Sequence, residues 1–295
     1  MTKKPVEYSV VDAFTDSAFK GNPAAVCLLE DDRDDEWLQA VAREFNISQT
    51  CYVTRITHSD SNPRFRLRWF TPVAEVELCG HATLAAAHTL FLRGLVNSNI
   101  IEFVTLSGIL TAKKVPDVKA KLQNGESEEE EESYFIELDF PTVPTTDFNS
   151  AHEVLLFQKA LNCSSIIDVK RTASDNIFVV LPSAKSVTEI QPKIDEILKC
   201  PGKGIIVSGA ASPESGFDFY SRYFCPKLGI NEDPVCGSAH CSLAFYWSQK
   251  LGKSDFVAYA ASPRSGILNI NIDEHKQRVL LRGKAVSVME GSLLV

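Results

Sequence analysis

Apolar positions along this chain alternate in short runs and become nearly continuous in two longer ones. Residues 7–14 and 24–29 read as strands, separated by the turn Lys20-Gly21-Asn22-Pro23. Asp34 to Phe45 places Trp37, Leu38, Val41 and Phe45 on one face, the spacing of an amphipathic helix. Asn46 to Thr50 is a loop leading into a strand at 51–56, and the alternation Phe65-Arg66-Leu67-Arg68-Trp69-Phe70 predicts another. From His81 to Leu92 the apolar residues leave no polar face, so this helix is expected to be buried on most sides. Ala239 to Gln249 is a second segment of the same kind, closed by Leu251-Gly252 as a C-terminal cap. Strands follow each helix, at 100–105 and 109–114, then at 256–261 and 267–272. A strand at 134–140 begins a second unit, residues 195–198 are helical, and a last strand at 285–289 is expected to return to the first unit.

The two apolar helices sit in matching surroundings. Cys79-Gly80-His81-Ala82 opens the first and Cys236-Gly237-Ser238-Ala239 the second. Upstream, Arg68-Trp69-Phe70-Thr71-Pro72 is echoed by Arg222-Tyr223-Phe224-Cys225-Pro226. Downstream, Ser107-Gly108-Ile109-Leu110 is echoed by Ser265-Gly266-Ile267-Leu268, 28 residues after the first cysteine and 29 after the second. Three landmarks in one order at near-equal spacing point to an internal duplication. The expected fold is α/β (α+β): two pseudo-symmetric domains, each a curled sheet or barrel around a buried central helix. Residues 1–124, completed by a C-terminal strand at 284–295, form the first domain. An acidic loop follows at 125–133, and 134–283 form the second.

Composition narrows the function classes. Six glutamates, Glu126 and Glu128 to Glu132, supply much of the net charge of −8. Removing them from the 38 acidic residues leaves 32 against 30 basic ones, so no basic surface points to nucleic acid. No apolar stretch reaches membrane-spanning length and no leader opens the chain, so a cytoplasmic location without membrane contact is expected. In that compartment the eight scattered cysteines are free thiols. No metal-ligand spacing, G-x-G-x-x-G or P-loop occurs, so neither metal nor cofactor is expected.

The chemistry concentrates at the repeated turns. A cysteine just before a buried helix sits at the positive end of the helix dipole, which favours its thiolate and is expected to lower its pKa. The free N–H groups of the first turn make an anion site. Gly80 and Gly237 would let a ligand approach the backbone, and Cys79 and Cys236 would face one cleft from opposite sides. The plainer alternative is that both thiols fill space beneath a turn. Asp233 lies three residues before Cys236, placed to orient an amine or move a proton. His81 points to the same site, whereas His88 and His240 lie inside the helices as packing residues, and His58, His152 and His275 read as surface.

Taken together, these motifs resemble the PhzF-like (phenazine-biosynthesis F) family, within the diaminopimelate-epimerase-like fold. The resemblance rests on Asp12-Ala13-Phe14-Thr15, Gly21-Asn22-Pro23-Ala24-Ala25-Val26, Ala42-Arg43-Glu44 with Asn46-Ile47-Ser48, the Arg68-to-Pro72 stretch, Cys79-Gly80-His81-Ala82-Thr83, and Asp233-Pro234-Val235-Cys236-Gly237-Ser238-Ala239. It implies two domains with the active site between them, cofactor-independent isomerisation by proton transfer and, commonly, a homodimer; the expected substrate is a small carboxylate. The ligand-holding turns of the family fall on Gly80, His81, Asp233, Gly237 and Ser238, and Ser48 is also expected to bind substrate. Two departures stand out. The family's usual acid–base glutamate is replaced by Gln49, whose amide does not titrate near neutral pH. Cys236 stands where the family usually has threonine, and cysteine at both turns is the pattern of diaminopimelate epimerase and proline-racemase-like enzymes. The leading expectation is an isomerase or epimerase with Cys79 and Cys236 as the acid–base pair. A PhzF-type isomerase using Asp233 or His81 as base, and a catalytically silent binding protein, are the alternatives.

Overall fold

The computed structural model describes residues 5–56, 63–117, 133–148 and 150–295; the acidic segment 125–132 and His58 lie outside them. The chain begins with antiparallel strands β1 (Val6–Ala13) and β2 (Asn22–Leu29). Helix α1 (Asp35–Phe45) then carries it across to β3 (Gln49–Arg55), parallel to β2, as a crossover connection allows. The Asp34 carboxylate accepts from the Trp37 N–H at 2.8 Å and caps α1, and Asn46 ends it in the left-handed conformation at φ 48°. Strand β4 (Arg64–Phe70) pairs antiparallel with β3, and the short β5 (Glu75–Val76) folds back on β4. Helix α2 (Gly80–Leu92) leads to β6 (Ile100–Thr105), parallel to β4, and then to β7 (Gly108–Pro116).

The same succession then recurs. After β8 (Tyr134–Pro141), β9 (Thr145–Asp147) and α3 (Ala151–Leu161), strands β10 (Asp168–Thr172) and β11 (Ile177–Val180) pair antiparallel. Two short helices, α4 (Ala184–Glu189) and α5 (Ile194–Ile197), cross to β12 (Ile205–Ala210), parallel to β11. Strand β13 (Phe219–Cys225) pairs with β12, and β14 (Ile230–Asp233) folds back on β13. Helix α6 (Gly237–Leu251) leads to β15 (Asp255–Ala260), parallel to β13, and on to β16 (Gly266–Asp273) and β17 (Arg278–Gly283).

The halves are stitched together reciprocally. Strand β8 is bound to β7 on one edge and to its counterpart β17 on the other. After β8 the chain crosses so that β9 pairs with β10; after β17 it crosses back so that β18 (Ala285–Leu293) pairs with β1. Each half thus lends one strand to the other.

Helix α2 is surrounded by strands of its own half and by β18, and every residue from Gly80 to Leu90 is buried. A helix without a polar face can only be stable in such a setting. One apolar core runs through both halves, from Trp69 and Leu84 across Phe14 and Val235 to Phe219 and Trp247. The described strands pair into one continuous 18-stranded sheet, and smaller clusters seat α1 against strands of the first half and α3 to α5 against strands of the second. No helix among the described residues is long and apolar enough to cross a membrane.

Candidate functional site

Each repeated turn is braced by an arginine on the strand before it. Arg68 on β4 grips Glu75 on β5 with two hydrogen bonds of 2.7 Å. Arg222 on β13 grips Glu232 on β14 in the same way, at 2.7 and 2.9 Å. Each guanidinium also lies over the aromatic ring two residues on, Phe70 or Phe224, at 5.1 and 5.0 Å. Paired forks of this kind fix geometry as well as charge. They hold the two strand ends from which Cys79 and Cys236 emerge.

The two helix starts then meet. A Cβ on Gly80 would lie 2.8 Å from the Cα of Gly237, and one on Gly237 2.9 Å from the Cα of Gly80. Both glycines line the cavity, and they also permit close contact between the helices themselves. Behind each cysteine the carbonyl is held from one turn along: Thr83 Oγ1 donates to Cys79 O at 2.5 Å, and His240 Nδ1 donates to Cys236 O at 2.7 Å.

Both turns open on one cavity of about 300 Å³. Its wall includes Gln49, Cys79, Gly80 and His81 from the first half, and Asp233, Cys236, Gly237 and Ser238 from the second. A larger cavity of about 370 Å³ lies beside the far end of α2, at His88, Phe91 and Lys114, and has neither repeated turn in its wall. Ser48 is set back from the smaller cavity, behind His81. Its hydroxyl lies 2.7 Å from both Asn22 Oδ1 and the Pro23 carbonyl and 3.4 Å from His81 Nε2. Asn22 in turn donates through Nδ2 to the Asp233 carboxylate and, at 3.0 Å, to Val235 O. On its other side His81 places Nδ1 3.5 Å from Cys79 Sγ. A polar chain therefore runs from Asp233 through Asn22, Ser48 and His81 to Cys79, crossing from one half to the other.

Gln49 is 4 % exposed and its amide is consumed by backbone. Nε2 donates to Ser48 O at 3.0 Å, and Oε1 accepts from the N–H groups of Phe70 and Thr71 at 3.2 and 3.3 Å.

The expected lowering of the thiol pKa values is overturned. Burial pushes Cys79 up; the N–H groups of Ala82 and His81 pull it down, as a helix start should, but they lose to desolvation. Cys236 is likewise held high, by burial first and then by the nearby Asp233 carboxylate, against hydrogen bonds from Ser238 and Ala239. Burial also lowers His81, so its imidazole rests neutral. The resting site thus holds two protonated thiols and a neutral base.

Four residues that no motif had flagged for chemistry belong to this site. Asn22 joins the two halves. Tyr223 donates to Asn176 Oδ1 at 2.9 Å on the cavity wall. Lys203 is the only Lys or Arg lining the cavity among the described residues. The echo between the two turns contained Tyr223, but nothing local marks Asn176 or Lys203.

A family model described as phenazine biosynthesis-like protein matches residues 11–291. A protein of Halalkalibacterium halodurans, named as an uncharacterized isomerase, is 42% identical over 287 residues covering 97% of each chain. The crystal structure of a PhzF-family phenazine biosynthesis protein from Enterococcus faecalis superposes with a TM-score of 0.80 at 35% identity, over 98% of this chain and 99% of that one. A hydroxyproline epimerase from Agrobacterium vitis shares the fold alone, with a TM-score of 0.60 at 10% identity over 99% and 93% of the two chains.

Proposed function

Because the chain belongs to the phenazine biosynthesis-like family, we propose that it is a cofactor-independent isomerase or epimerase that moves a proton on a small carboxylate in the cavity between its halves. One observation carries this reading: two helix starts, each with a thiol at its cap, meet at Gly80 and Gly237 and open on the same cavity. The positive ends of the two helices would hold the carboxylate and stabilise the enolate-like charge that forms when a neighbouring carbon loses its proton. Cys79 and Cys236 are the groups that exchange that proton, with His81 and Asp233 adjoining them. The Halalkalibacterium halodurans relative named as an isomerase agrees with the reaction class.

Deuterium wash-in tests it. The protein is incubated in D2O with a panel of amino acids and small cyclic carboxylates, and deuteration is read by mass spectrometry. Label that appears with the native protein and disappears in the Cys79→Ser/Cys236→Ser double variant supports the proposal. Equal label in the double variant sinks the thiol mechanism.

One observation favours a second reading. The Gln49 amide is tied entirely to backbone, so the position of the family's usual base is inert. A protein that binds a metabolite without turning it over would show ligand-induced thermal stabilisation and no label from the same compounds.

A further inference from the structure

The two turns repeat one another, but the residue after each Cys-Gly differs. In the first half it is His81, 3.5 Å from the Cys79 sulfur; in the second it is Ser238, whose hydroxyl is 3.3 Å from the Cys236 sulfur. Burial keeps Cys79 and His81 neutral at rest, but an imidazole has a lone pair to take a thiol proton during the reaction and a serine hydroxyl is no such base. The hydrogen-bond network also points to which imidazole nitrogen is free. Asn22 directs Nδ2 to Asp233 and Val235 O, so its Oδ1 can only accept. Both short contacts of the Ser48 hydroxyl, Asn22 Oδ1 and Pro23 O, are acceptors, so its single proton is committed to one of them. Toward His81 Nε2, 3.4 Å away, Ser48 is then left as an acceptor, which assigns the ring proton to Nε2. In a neutral ring this leaves Nδ1 bare, facing Cys79.

We propose that the two thiols have unequal roles: His81, held as the Nε2–H tautomer by Ser48 and Asn22, deprotonates Cys79, so that Cys79 removes the substrate proton and Cys236 returns one. This rests on the proton-transfer reading above and assigns its direction across the cavity. The Cys79 S–H bond breaks as an Nδ1–H bond forms on His81. The thiolate then takes a proton from the substrate carbon, re-forming S–H and leaving the electron pair in the substrate's enolate. Cys236 gives its proton to that system, forming the new C–H bond and becoming a thiolate. The imidazolium proton passes through solvent to Cys236 and restores the resting state. One C–H bond is lost and one gained, with no other reactant. Asp233 lies near enough to favour the imidazolium that forms in between. Asn22 and Ser48 are positioning residues, acting through His81.

Two measurements test this. The first needs no substrate: 15N NMR of histidine-labelled protein, with His81 assigned by its loss in His81→Gln. The Nε2–H tautomer is expected in the native protein, with a mixture of tautomers in Ser48→Ala. A native Nδ1–H tautomer overturns the proposal whether or not the enzyme reading stands. The second uses any compound that takes up label in D2O. Cys236→Ser should still exchange the substrate proton while losing net isomerisation by at least about 100-fold, and Cys79→Ser and His81→Gln should lose both. One-sided exchange retained equally in Cys79→Ser and Cys236→Ser would show a symmetrical pair and overturn it. Failure of every compound to label the native protein counts against the proton-transfer reading and leaves the tautomer result to decide the arrangement of His81.

Discussion

Gly80 and Gly237 touch backbone to backbone, each filling the space into which the other would extend a side chain. Close contact between helix starts brings two N-terminal dipoles together and opens both thiols on one cavity. Gly80→Ala must therefore push α2 and α6 apart. It is expected to destabilise the protein by about 1–3 kcal/mol, the usual cost of overpacking, measured by urea unfolding. Gly237→Ala should cost a similar amount. The double variant should cost less than the two singles added, because both strain the same contact.

Acid should weaken the fold through two histidines that no proposed step uses. His88, whose Nε2 lies 3.2 Å from Ser287 Oγ, and His240, which donates to Cys236 O, are both lowered by burial from 6.5 to about 4. Above pH 6.5 each is neutral folded or unfolded. Between 6.5 and about 4 only the unfolded chain takes up the proton, so stability falls as pH falls through that window, by up to roughly 3 kcal/mol per histidine. Denaturant titrations at pH 7.5 and 5 should show the loss, and His88→Gln should lose measurably less. An equal loss in that variant would mean that other groups dominate.

Lys203 gives a test of what the cavity accepts. Its backbone N–H donates to Asp175 O at 2.7 Å, fixing it beside the turn that carries Asn176, while its side chain is exposed on the rim. For an anionic substrate, Lys203→Met should raise KM roughly three- to ten-fold, leave kcat nearly unchanged, and reduce the dependence of KM on salt. Stability should not move. An unchanged KM would place the substrate's charge elsewhere, at the helix starts alone.

The sequence carried the parts of this molecule that are built from contrast. Helices α1 and α2, the strands on either side of them and the paired Cys-Gly turns all announce themselves by spacing. Strands β9 to β14 and β17 did not, whereas those at 134–140, 256–261, 267–272 and 285–289 did. Ile177 to Val180 and Ile205 to Val207 are buried on both faces, so they are apolar throughout and show no alternation. Strand β10 is five residues long with only Val169 and Thr172 buried. Helix α3 buries Phe157, Ala160 and Leu161 but leaves Leu155 63% exposed, which blurs its apolar face. In the site, the thiols and His81 were legible because they recur or flank a motif. The thiol pKa values were not, since desolvation depends on the whole surrounding core. Asn22 is 211 residues from Asp233 in the chain, and only the folded structure shows that pairing.

Restoring the family's usual glutamate at position 49 would tell whether this site has moved its base. The Gln49 oxygen accepts two backbone N–H groups, which a carboxylate could keep. Its nitrogen donates to Ser48 O, and there an ionised Gln49→Glu side chain would set oxygen against oxygen in a buried place. The new carboxyl should titrate above the ordinary carboxylate range, because only its protonated form can donate to that carbonyl. A raised carboxyl is tolerated at low pH and costs stability as pH rises through its folded pKa. The variant should match the parent near pH 4 and fall below it by about 1–3 kcal/mol at pH 8, read by urea unfolding. Wash-in activity should fall with the same pH dependence if Cys79 and His81 carry the chemistry. Activity that rises instead would show that position 49 still addresses the substrate and that the native glutamine limits the enzyme.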